Sequence, residues 1–151
     1  MENNPDLTRT VHDAGGRMTP QRQVVLEALT SVTSHPTAAE LYDLVRQRLP
    51  EISPGTVYRN LRVLQELGCV RELDYGPHAS RFDATVEDHC HVRCECCGRI
   101  DDLPVDAATG LQEAAQAAPG WTIAGQRLEY HGLCPDCLRN QERSDNKEGE
   151  P

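Results

Sequence analysis

Four of the seven cysteines form two Cys-x-x-Cys pairs, Cys94 with Cys97 and Cys134 with Cys137. Two such pairs supply four thiolates, the soft tetrahedral ligand set that Zn²⁺ prefers in closed structural sites. A pair of redox-active dithiols is the alternative, but two pairs within one small subdomain favour metal binding. The spacing therefore predicts a structural zinc site, in which Cys96 is a neighbouring thiol that could substitute for Cys97.

A second group of potential ligands contains imidazoles and carboxylates. His89 and His91 are separated by one residue, so in a strand their rings project to the same face, as a chelating pair requires. Nitrogen and oxygen ligands are harder than thiolates and suit Fe²⁺ or Mn²⁺ as well as Zn²⁺. Taken singly, a histidine before a proline is usually a turn residue, and an aspartate is usually a surface charge. The full set of candidates is His35, Asp83, His89, His91 and Asp102.

Length and composition limit the elements that can position these ligands. The chain has 151 residues, 38% hydrophobic and 26% charged, which is enough for one ordinary domain or two small ones. No signal segment and no bilayer-spanning apolar run is visible, which predicts a cytoplasmic protein. The net charge of −9 lies mainly in the second half, because residues 1–84 hold 9 arginines and 11 acidic residues, whereas 85–151 hold 6 basic and 13 acidic ones. A local basic face in the first half is therefore compatible with nucleic-acid binding.

Three amphipathic helices are predicted in the first half, and caps mark where they begin. Thr19-Pro20 and Ser53-Pro54 each combine an N-cap with proline at the first helical position. Residues 37–40, with the sequence Thr-Ala-Ala-Glu, form a capping box. Gly68 ends the third helix at about residue 67. A short helix is expected over residues 7–14, before the three.

The third helix has two different faces. Val57, Leu61 and Leu64 share one side at helical spacing, which leaves Arg59 and Arg62 on the opposite side. Two short strands follow over residues 69–74 and 80–83, joined by a loop with glycine and proline. Three helices and a hairpin predict a winged helix-turn-helix, in which the third helix reads base edges. The alternative is a small helical domain, or a protein-interaction module, whose arginines are only solvated.

The second half has a different character and predicts an α+β unit. Strands are expected around residues 91–93, 99–103 and 121–130, with a helix over 106–118. So few strands make a poor stand-alone core, which favours pairing with a second copy of the chain. We therefore predict an α+β fold with a winged-helix DNA-binding domain over residues 1–83, a hinge over 84–88, a small α/β dimerisation and metal-binding domain over 89–140 and a disordered tail over 141–151.

Five motifs, in fixed order from Met18 to Leu138, resemble those of the ferric uptake regulator superfamily of bacterial transcription factors. The resemblance implies a homodimer with an N-terminal winged helix and a C-terminal dimerisation domain, in which a regulatory metal promotes binding to a near-palindromic DNA operator. The motifs are His35-Pro36-Thr37-Ala38, Thr56-Val57-Tyr58-Arg59-Asn60-Leu61, Arg81-Phe82-Asp83, His89-x-His91-x-x-Cys94-x-x-Cys97-Gly98 and Cys134-x-x-Cys137.

Within the superfamily, the second ligand set most resembles that of the peroxide-responsive repressors, which use Asp where iron-uptake regulators typically have Glu. By this resemblance the regulatory metal is Fe²⁺ or Mn²⁺, and one ion ties the DNA-binding half to the dimerisation half. Iron-dependent oxidation by peroxide would then convert His35 or His89 to 2-oxo-histidine and release the DNA. The expected DNA contacts are Arg17, Tyr58, Arg59 and Arg62.

Three alternatives remain open from the sequence. The first is an iron- or manganese-responsive uptake regulator that does not sense peroxide. The second is a metal hydrolase or oxygenase built on the histidines, although neither a substrate pocket nor a general base is indicated beyond the ligands. The third is a zinc-bound dimerisation module without a sensor. Cys90 could add a soft ligand to the second site, but a small buried residue like Cys69 is the simpler interpretation.

Overall fold

The computed structural model describes residues 5–74, 79–87, 89–105, 108–124 and 128–147. The chain divides into two compact units, Met1–Glu87 and Asp88–Pro151. This division lies within the segment 84–88 that we predict to be a hinge, and the hinge itself stays a prediction. Across the described residues, no helix has both the length and the apolar character needed to cross a bilayer.

The N-terminal unit contains four helices, and the predicted caps fix their starts. They are α1 (Pro5–Asp13), α2 (Pro20–Thr30), α3 (Ala38–Val45) and α4 (Pro54–Glu66). The hydroxyls of Thr19, Thr37 and Ser53 each accept a hydrogen bond from a backbone N–H in the first turn of the helix that follows. These bonds satisfy donors that the helix itself leaves unpaired. All three predicted helix starts, and the short helix before them, are confirmed.

One hydrophobic core holds the N-terminal unit together. Val57, Leu61 and Leu64 of α4 are at most 1% exposed, as their spacing predicts. The apolar faces of α2 and α3 pack in the same core, and Val11 of α1 is fully buried in it. With α4's apolar side used in this way, Tyr58 and Arg59 remain exposed on the other side.

A two-stranded antiparallel hairpin follows α4. Strand β1 (Arg71–Leu73) pairs with β2 (Arg81–Asp83), and Glu72 is opposite Phe82. β1 begins two residues later than predicted because residues 68–70 first complete the end of α4. Gly68 adopts a φ of 70°, and the N–H groups of the next two residues donate to the Leu64 carbonyl. Part of the predicted wing loop, residues 75–78, lies outside the described residues. The winged helix-turn-helix is confirmed.

The C-terminal unit contains a three-stranded sheet in the order β4-β3-β5. Strand β3 (Cys90–Cys94) pairs antiparallel with β4 (Ile100–Leu103) and parallel with β5 (Tyr130–Gly132). Helix α5 (Ala108–Ala117) falls within the predicted helix, whose predicted first residue lies outside the described ones. The predicted strand over 121–130 is wrong for most of its described length, since residues 121–124 are irregular and only Tyr130 enters β5. The α+β character of the unit is confirmed.

The chain ends in a helix that the sequence analysis does not predict. Helix α6 (Pro135–Lys147) extends into residues 141–147, where we expect a disordered tail. Pro135 at the first helical position and Asp136 in the first turn favour its start. Asp136 also pairs with Arg139, and the Ser144 hydroxyl bonds to the Asn140 carbonyl. Such local bonds sustain a polar helix without an apolar face.

The first prediction concerns the two faces of α4. Leu61→Ala should lower the free energy of unfolding by about 2–5 kcal/mol because it leaves a cavity in the core. Arg62→Ala, one residue further on the exposed side, should change it by less than about 0.5 kcal/mol. Urea unfolding of the zinc-loaded protein, followed by circular dichroism, measures both. Equal effects of the two substitutions would contradict the assigned orientation of the helix.

Candidate metal centres and DNA-facing helix

The four paired cysteines are brought together by the sheet of the C-terminal unit. Cys94 ends β3, and Cys97 follows in a tight turn in which Gly98 has a φ of 76° and donates its N–H to the Cys94 carbonyl. The Glu95 N–H donates to the Gly132 carbonyl at 2.8 Å, which holds the end of β5 beside this turn. The second cysteine pair, at the start of α6, therefore faces the first.

The geometry of this cysteine cluster fits a tetrahedral zinc ion. The Sγ atoms of Cys94, Cys97, Cys134 and Cys137 all lie within 4.8 Å of one another, and those of Cys97 and Cys134 are 3.8 Å apart. With Zn–S bonds of about 2.3 Å, the edge of a tetrahedron is about 3.8 Å. None of the four forms a disulfide bond. The four cysteines that the motif spacing singles out are thus brought together in a geometry that fits a structural zinc ion.

Hydrogen bonding within the cluster prepares one thiol for deprotonation. Burial raises the pKa of Cys94, but N–H groups of Cys97, Cys134 and Cys96 outweigh burial and lower its pKa to about 6. Hydrogen bonds with Cys134 and with exposed Cys96 raise the pKa of Cys137 instead. Four adjacent thiolates repel one another, so a bound divalent cation provides the charge that lets all four deprotonate.

In the N-terminal unit, an imidazole and a carboxylate lie side by side in the interior. His35 is 5% exposed and Asp83 is 3% exposed, and the His35 Nδ1 atom lies 3.6 Å from Asp83 Oδ1. The chain joins them through main-chain contacts, since the Phe82 N–H donates to the Pro36 carbonyl at 3.0 Å. Both are candidate ligands from the sequence, and both are polar groups buried where such residues seldom lie unless they have partners.

In the C-terminal unit, three further candidate ligands converge on one face of the sheet. His91 and Asp102 are direct partners across β3 and β4. Asp102 Oδ1 lies 3.0 Å from His89 Nε2 and 3.4 Å from His91 Nε2, and the two rings meet edge to face with centroids 4.3 Å apart. Ligand atoms about 2.1 Å from one ion at right angles are about 3.0 Å apart. The spacing of the three side chains therefore suits a metal ion.

Helix α4 presents polar side chains on its exposed face. Tyr58 is 56% exposed, and Arg59 and Arg62 are exposed beside it. Arg59 Nη2 donates to the hydroxyl of Thr56 at 3.0 Å, and Arg62 Nε donates to Glu66 at 3.3 Å. These bonds orient the guanidinium groups away from the core. Arg17 is exposed just before α2, where its carbonyl accepts a hydrogen bond from Arg22.

From the sequence, His35 is a candidate ligand, but the pair of side chains that supports it is not predicted. Arg81 and Glu40 form an ion pair at 3.1 Å, and Arg81 also donates to the main-chain carbonyl of His35. The sequence contains only part of the information that would predict this ion pair. The capping box identifies Glu40, but nothing local shows that Arg81 meets it across 41 positions of the chain.

Fold and sites together define a class of protein. A winged helix followed by an α+β unit with a four-cysteine site and a cluster of imidazoles and carboxylates defines a metal-dependent, DNA-binding regulator. The model of the "Ferric uptake regulator family" matches residues 13–131. The chain belongs to the ferric uptake regulator family. Membership assigns it to the transcriptional regulators and not to the metal-dependent enzymes.

Individual relatives agree with this assignment. The chain is 39% identical over 136 residues to the peroxide operon regulator of Bacillus subtilis, covering 90% of this chain and 94% of that protein. It is 40% identical over 132 residues to the peroxide-responsive repressor PerR of Staphylococcus saprophyticus, covering 87% and 89%. The crystal structure of the Campylobacter jejuni peroxide stress regulator matches with a TM-score of 0.65 and 33% identity, over 91% of this chain and all of that one.

The second prediction concerns the zinc site. Cys137→Ser should reduce the zinc content of the purified protein from one ion per chain to none, because hard oxygen replaces a thiolate ligand. It should also lower the thermal midpoint of the C-terminal unit. Cys69→Ala, at a buried cysteine outside the cluster, is the matched control and should keep its zinc. Mass spectrometry of bound metal and circular dichroism measure the two effects, and full zinc content in Cys137→Ser would exclude this site.

Proposed function

We propose that this protein is a metal-dependent transcriptional repressor that responds to peroxide. The observation that carries the proposal is the pairing of imidazoles with carboxylates within each unit, apart from the thiolate site: His35 lies beside Asp83 in one unit, and His89 and His91 lie beside Asp102 in the other. Such ligands suit Fe²⁺ or Mn²⁺. Asp83, rather than Glu, supports the peroxide-responsive branch, and the names of the relatives point the same way.

One regulatory ion, in this proposal, takes ligands from both units. His35 and Asp83 would come from the DNA-binding unit, and His89, His91 and Asp102 from the other. The ion would then favour one arrangement of the two units about the hinge at residues 84–88. A nearly complete switch requires about 5.5 kcal/mol of differential affinity, which several ligand bonds can provide. Both the ligand set and the hinge are part of the proposal.

The same proposal assigns DNA recognition to helix α4. Tyr58 and Arg59 would contact bases or phosphates in the major groove, with Arg17 and Arg62 on the backbone. Exposure of all four side chains supports this role. The first half of the chain carries a balance of only −2, so its arginine face meets little competing charge. A repressor acting on DNA would work in the cytoplasm of a bacterium.

A homodimer is the proposed assembly, and the C-terminal unit is its proposed interface. Among the described residues of that unit, six large apolar side chains are exposed by 39–77%: Val105, Trp121, Leu128, Tyr130, Leu133 and Leu138. Exposed apolar side chains in this number favour burial against another chain. A two-fold dimer carries two α4 helices and therefore reads a near-palindromic operator, with half-sites about 34 Å apart along the DNA or a multiple of that distance.

Peroxide sensing would depend on which histidines hold the metal. Fe²⁺ held by these residues would supply the redox chemistry that cleaves the O–O bond of peroxide. His35 and His89 would offer the ring carbon between their two nitrogens as the site of oxidation. Overall, one peroxide oxygen would replace the hydrogen of that carbon as a carbonyl, and the other would leave as water. The resulting 2-oxo-histidine coordinates more weakly than imidazole. Loss of that ligand removes the preference for the DNA-binding arrangement.

The third prediction tests peroxide sensing. Zinc-loaded protein carrying Fe²⁺ should lose binding to its DNA after low peroxide, and one oxygen should appear on peptides containing His35 or His89. The Mn²⁺ form should keep both its DNA and its unmodified histidines. Anaerobic gel shift, on DNA selected from a random library, and peptide mass spectrometry measure these outcomes. Fe²⁺ protein that keeps its DNA would instead indicate an iron- or manganese-responsive uptake regulator without peroxide sensing.

The fourth prediction tests the recognition helix. Arg59→Ala should weaken specific DNA binding by about 5- to 150-fold, as expected for loss of about 1–3 kcal/mol at a base contact. Zinc content and thermal stability should not change, because the side chain is outside the core. Arg46→Ala, at another exposed arginine of the same unit, is the control and should bind DNA normally. Unchanged binding by Arg59→Ala would exclude this assignment.

A further inference from the structure

His35 has a main-chain conformation that needs support from outside its own segment. Its φ is 44°, the only positive φ of a residue other than glycine among those that the structure describes. The left-handed region is unfavourable for a side chain with a Cβ, and such residues persist where surrounding structure holds them. Pro36 follows directly and restricts the backbone of His35 further. Contacts with other parts of the chain must therefore stabilise this backbone conformation.

Arg81 supplies a hydrogen bond at the required position. Its Nη1 atom lies 3.1 Å from the His35 carbonyl oxygen and 3.1 Å from Glu40 Oε2. The same Glu40 oxygen accepts the Thr37 N–H at 2.8 Å. The guanidinium is thus held between the carbonyl of His35 and the side chain that caps α3. Only 12% of the Arg81 side chain is exposed, whereas 56% of the Glu40 side chain is. The bond to the His35 carbonyl is therefore the better shielded of the two, and water competes more for the bond to Glu40.

Strand β2 contacts both the main-chain carbonyl and the imidazole ring of His35. Arg81 and Asp83 are two residues apart in the strand, so their side chains point to the same face. Arg81 bonds to the carbonyl of His35, and Asp83 faces its ring at 3.6 Å. Phe82 points to the other face, is 6% exposed and packs in the core. The strand is therefore anchored in the core while its two polar side chains control one histidine.

We propose that Arg81 is a positioning residue that holds His35 in the orientation of a metal ligand. This inference rests on the proposed function, because it assumes that His35 is a ligand of the regulatory ion. Without Arg81, the main chain of residue 35 relaxes to an ordinary conformation and the imidazole leaves Asp83. Loss of a group that orients a ligand commonly weakens metal binding by about 10- to 100-fold.

The direction in which metal affinity changes when Arg81 is replaced shows whether Arg81 acts by positioning His35 or by its charge. Arg81 is a cation in a unit that supplies ligands to a cation. If it acted through its charge alone, its removal would strengthen metal binding, since like charges repel. Positioning predicts the opposite, which is weaker binding when Arg81 is replaced by an uncharged residue of similar length.

The experiment compares four variants of the full-length, zinc-loaded protein with the wild type. Arg81→Met removes both hydrogen bonds, and Arg81→Lys keeps the charge and one donor. Glu40→Gln keeps an oxygen that can cap α3 but removes the ion pair with Arg81. Arg48→Met breaks a comparable arginine–glutamate pair, with Glu27, elsewhere in the same unit and is the matched control.

Two measurements are made on each variant after its thermal midpoint and zinc content are recorded. The first is the affinity for Mn²⁺ by calorimetric titration. The second is the ratio of one-oxygen addition at His35 to that at His89 after Fe²⁺ and peroxide, by peptide mass spectrometry. A general loss of stability would lower oxidation of both histidines together, whereas misplacement of His35 alone changes the ratio.

The expected result is a 10- to 100-fold loss of Mn²⁺ affinity in Arg81→Met and a fall in the His35 share of oxidation. Arg81→Lys should recover part of both, Glu40→Gln should shift both in the direction of Arg81→Met, and Arg48→Met should match the wild type. Wild-type affinity and ratio in Arg81→Met overturn the proposal, as does tighter Mn²⁺ binding. If Arg81→Met does not fold, the Mn²⁺ affinity and the oxidation ratio of Glu40→Gln test the proposal instead.

The outcome also separates this inference from the proposed function. A wild-type protein that binds Mn²⁺ but shows no oxidised histidine contradicts peroxide sensing, and the Mn²⁺ affinities then still test Arg81. A wild-type protein that binds no metal beyond zinc overturns both ideas. Wild-type behaviour of Arg81→Met beside a sensing wild type overturns only the role of Arg81.

Discussion

The C-terminal unit is built around its four paired cysteines, whose geometry fits a zinc ion. Among its described residues, the buried apolar ones are Cys90, Cys94, Ile100 and Cys134, so two of the four are themselves zinc-site residues. A core of this size contributes little free energy from the burial of apolar surface. The sheet, the turn after β3 and the start of α6 are all tied to the cysteine cluster. A zinc ion bound by these cysteines therefore stabilises this unit, as packed leucine and valine side chains stabilise the other.

The N-terminal unit is stabilised by a different interaction, the packing of apolar side chains from its helices. The proposed regulatory role of buried His35 and Asp83 is therefore separate from what holds this unit together. Intrinsic ligand preference does not by itself keep zinc out of an imidazole and carboxylate site, because zinc binds such ligands more tightly than iron or manganese. The four thiolates offer zinc softer ligands. The concentrations of the available metals then determine which ion occupies the imidazole and carboxylate site.

Signals between neighbouring residues predict the helices and the candidate ligands. The features that the sequence does not predict depend on contacts between residues far apart in the chain. Caps at Thr19, Thr37 and Ser53 specify where helices begin because the information lies within four residues. The cysteine pairs identify the zinc site for the same reason. The extent of β5, which starts only at Tyr130, depends instead on pairing with β3 about 38 positions earlier. Helix α6 is not predicted because its sequence lacks the apolar period by which helices are recognised.

The support of His35 is a further non-local feature, and its energetics explain why one arginine is enough. A residue such as His35 in the left-handed region costs of order 1–3 kcal/mol. A hydrogen bond from a charged donor contributes about 1.5–3 kcal/mol, which is of the same size. The bond from Arg81 thus offsets the strain, and the ion pair with Glu40 fixes the guanidinium so that little further entropy is lost. Because the two magnitudes are of the same order, the loss of this one hydrogen bond is enough to alter how His35 is held, even though the Phe82 N–H still bonds to the Pro36 carbonyl.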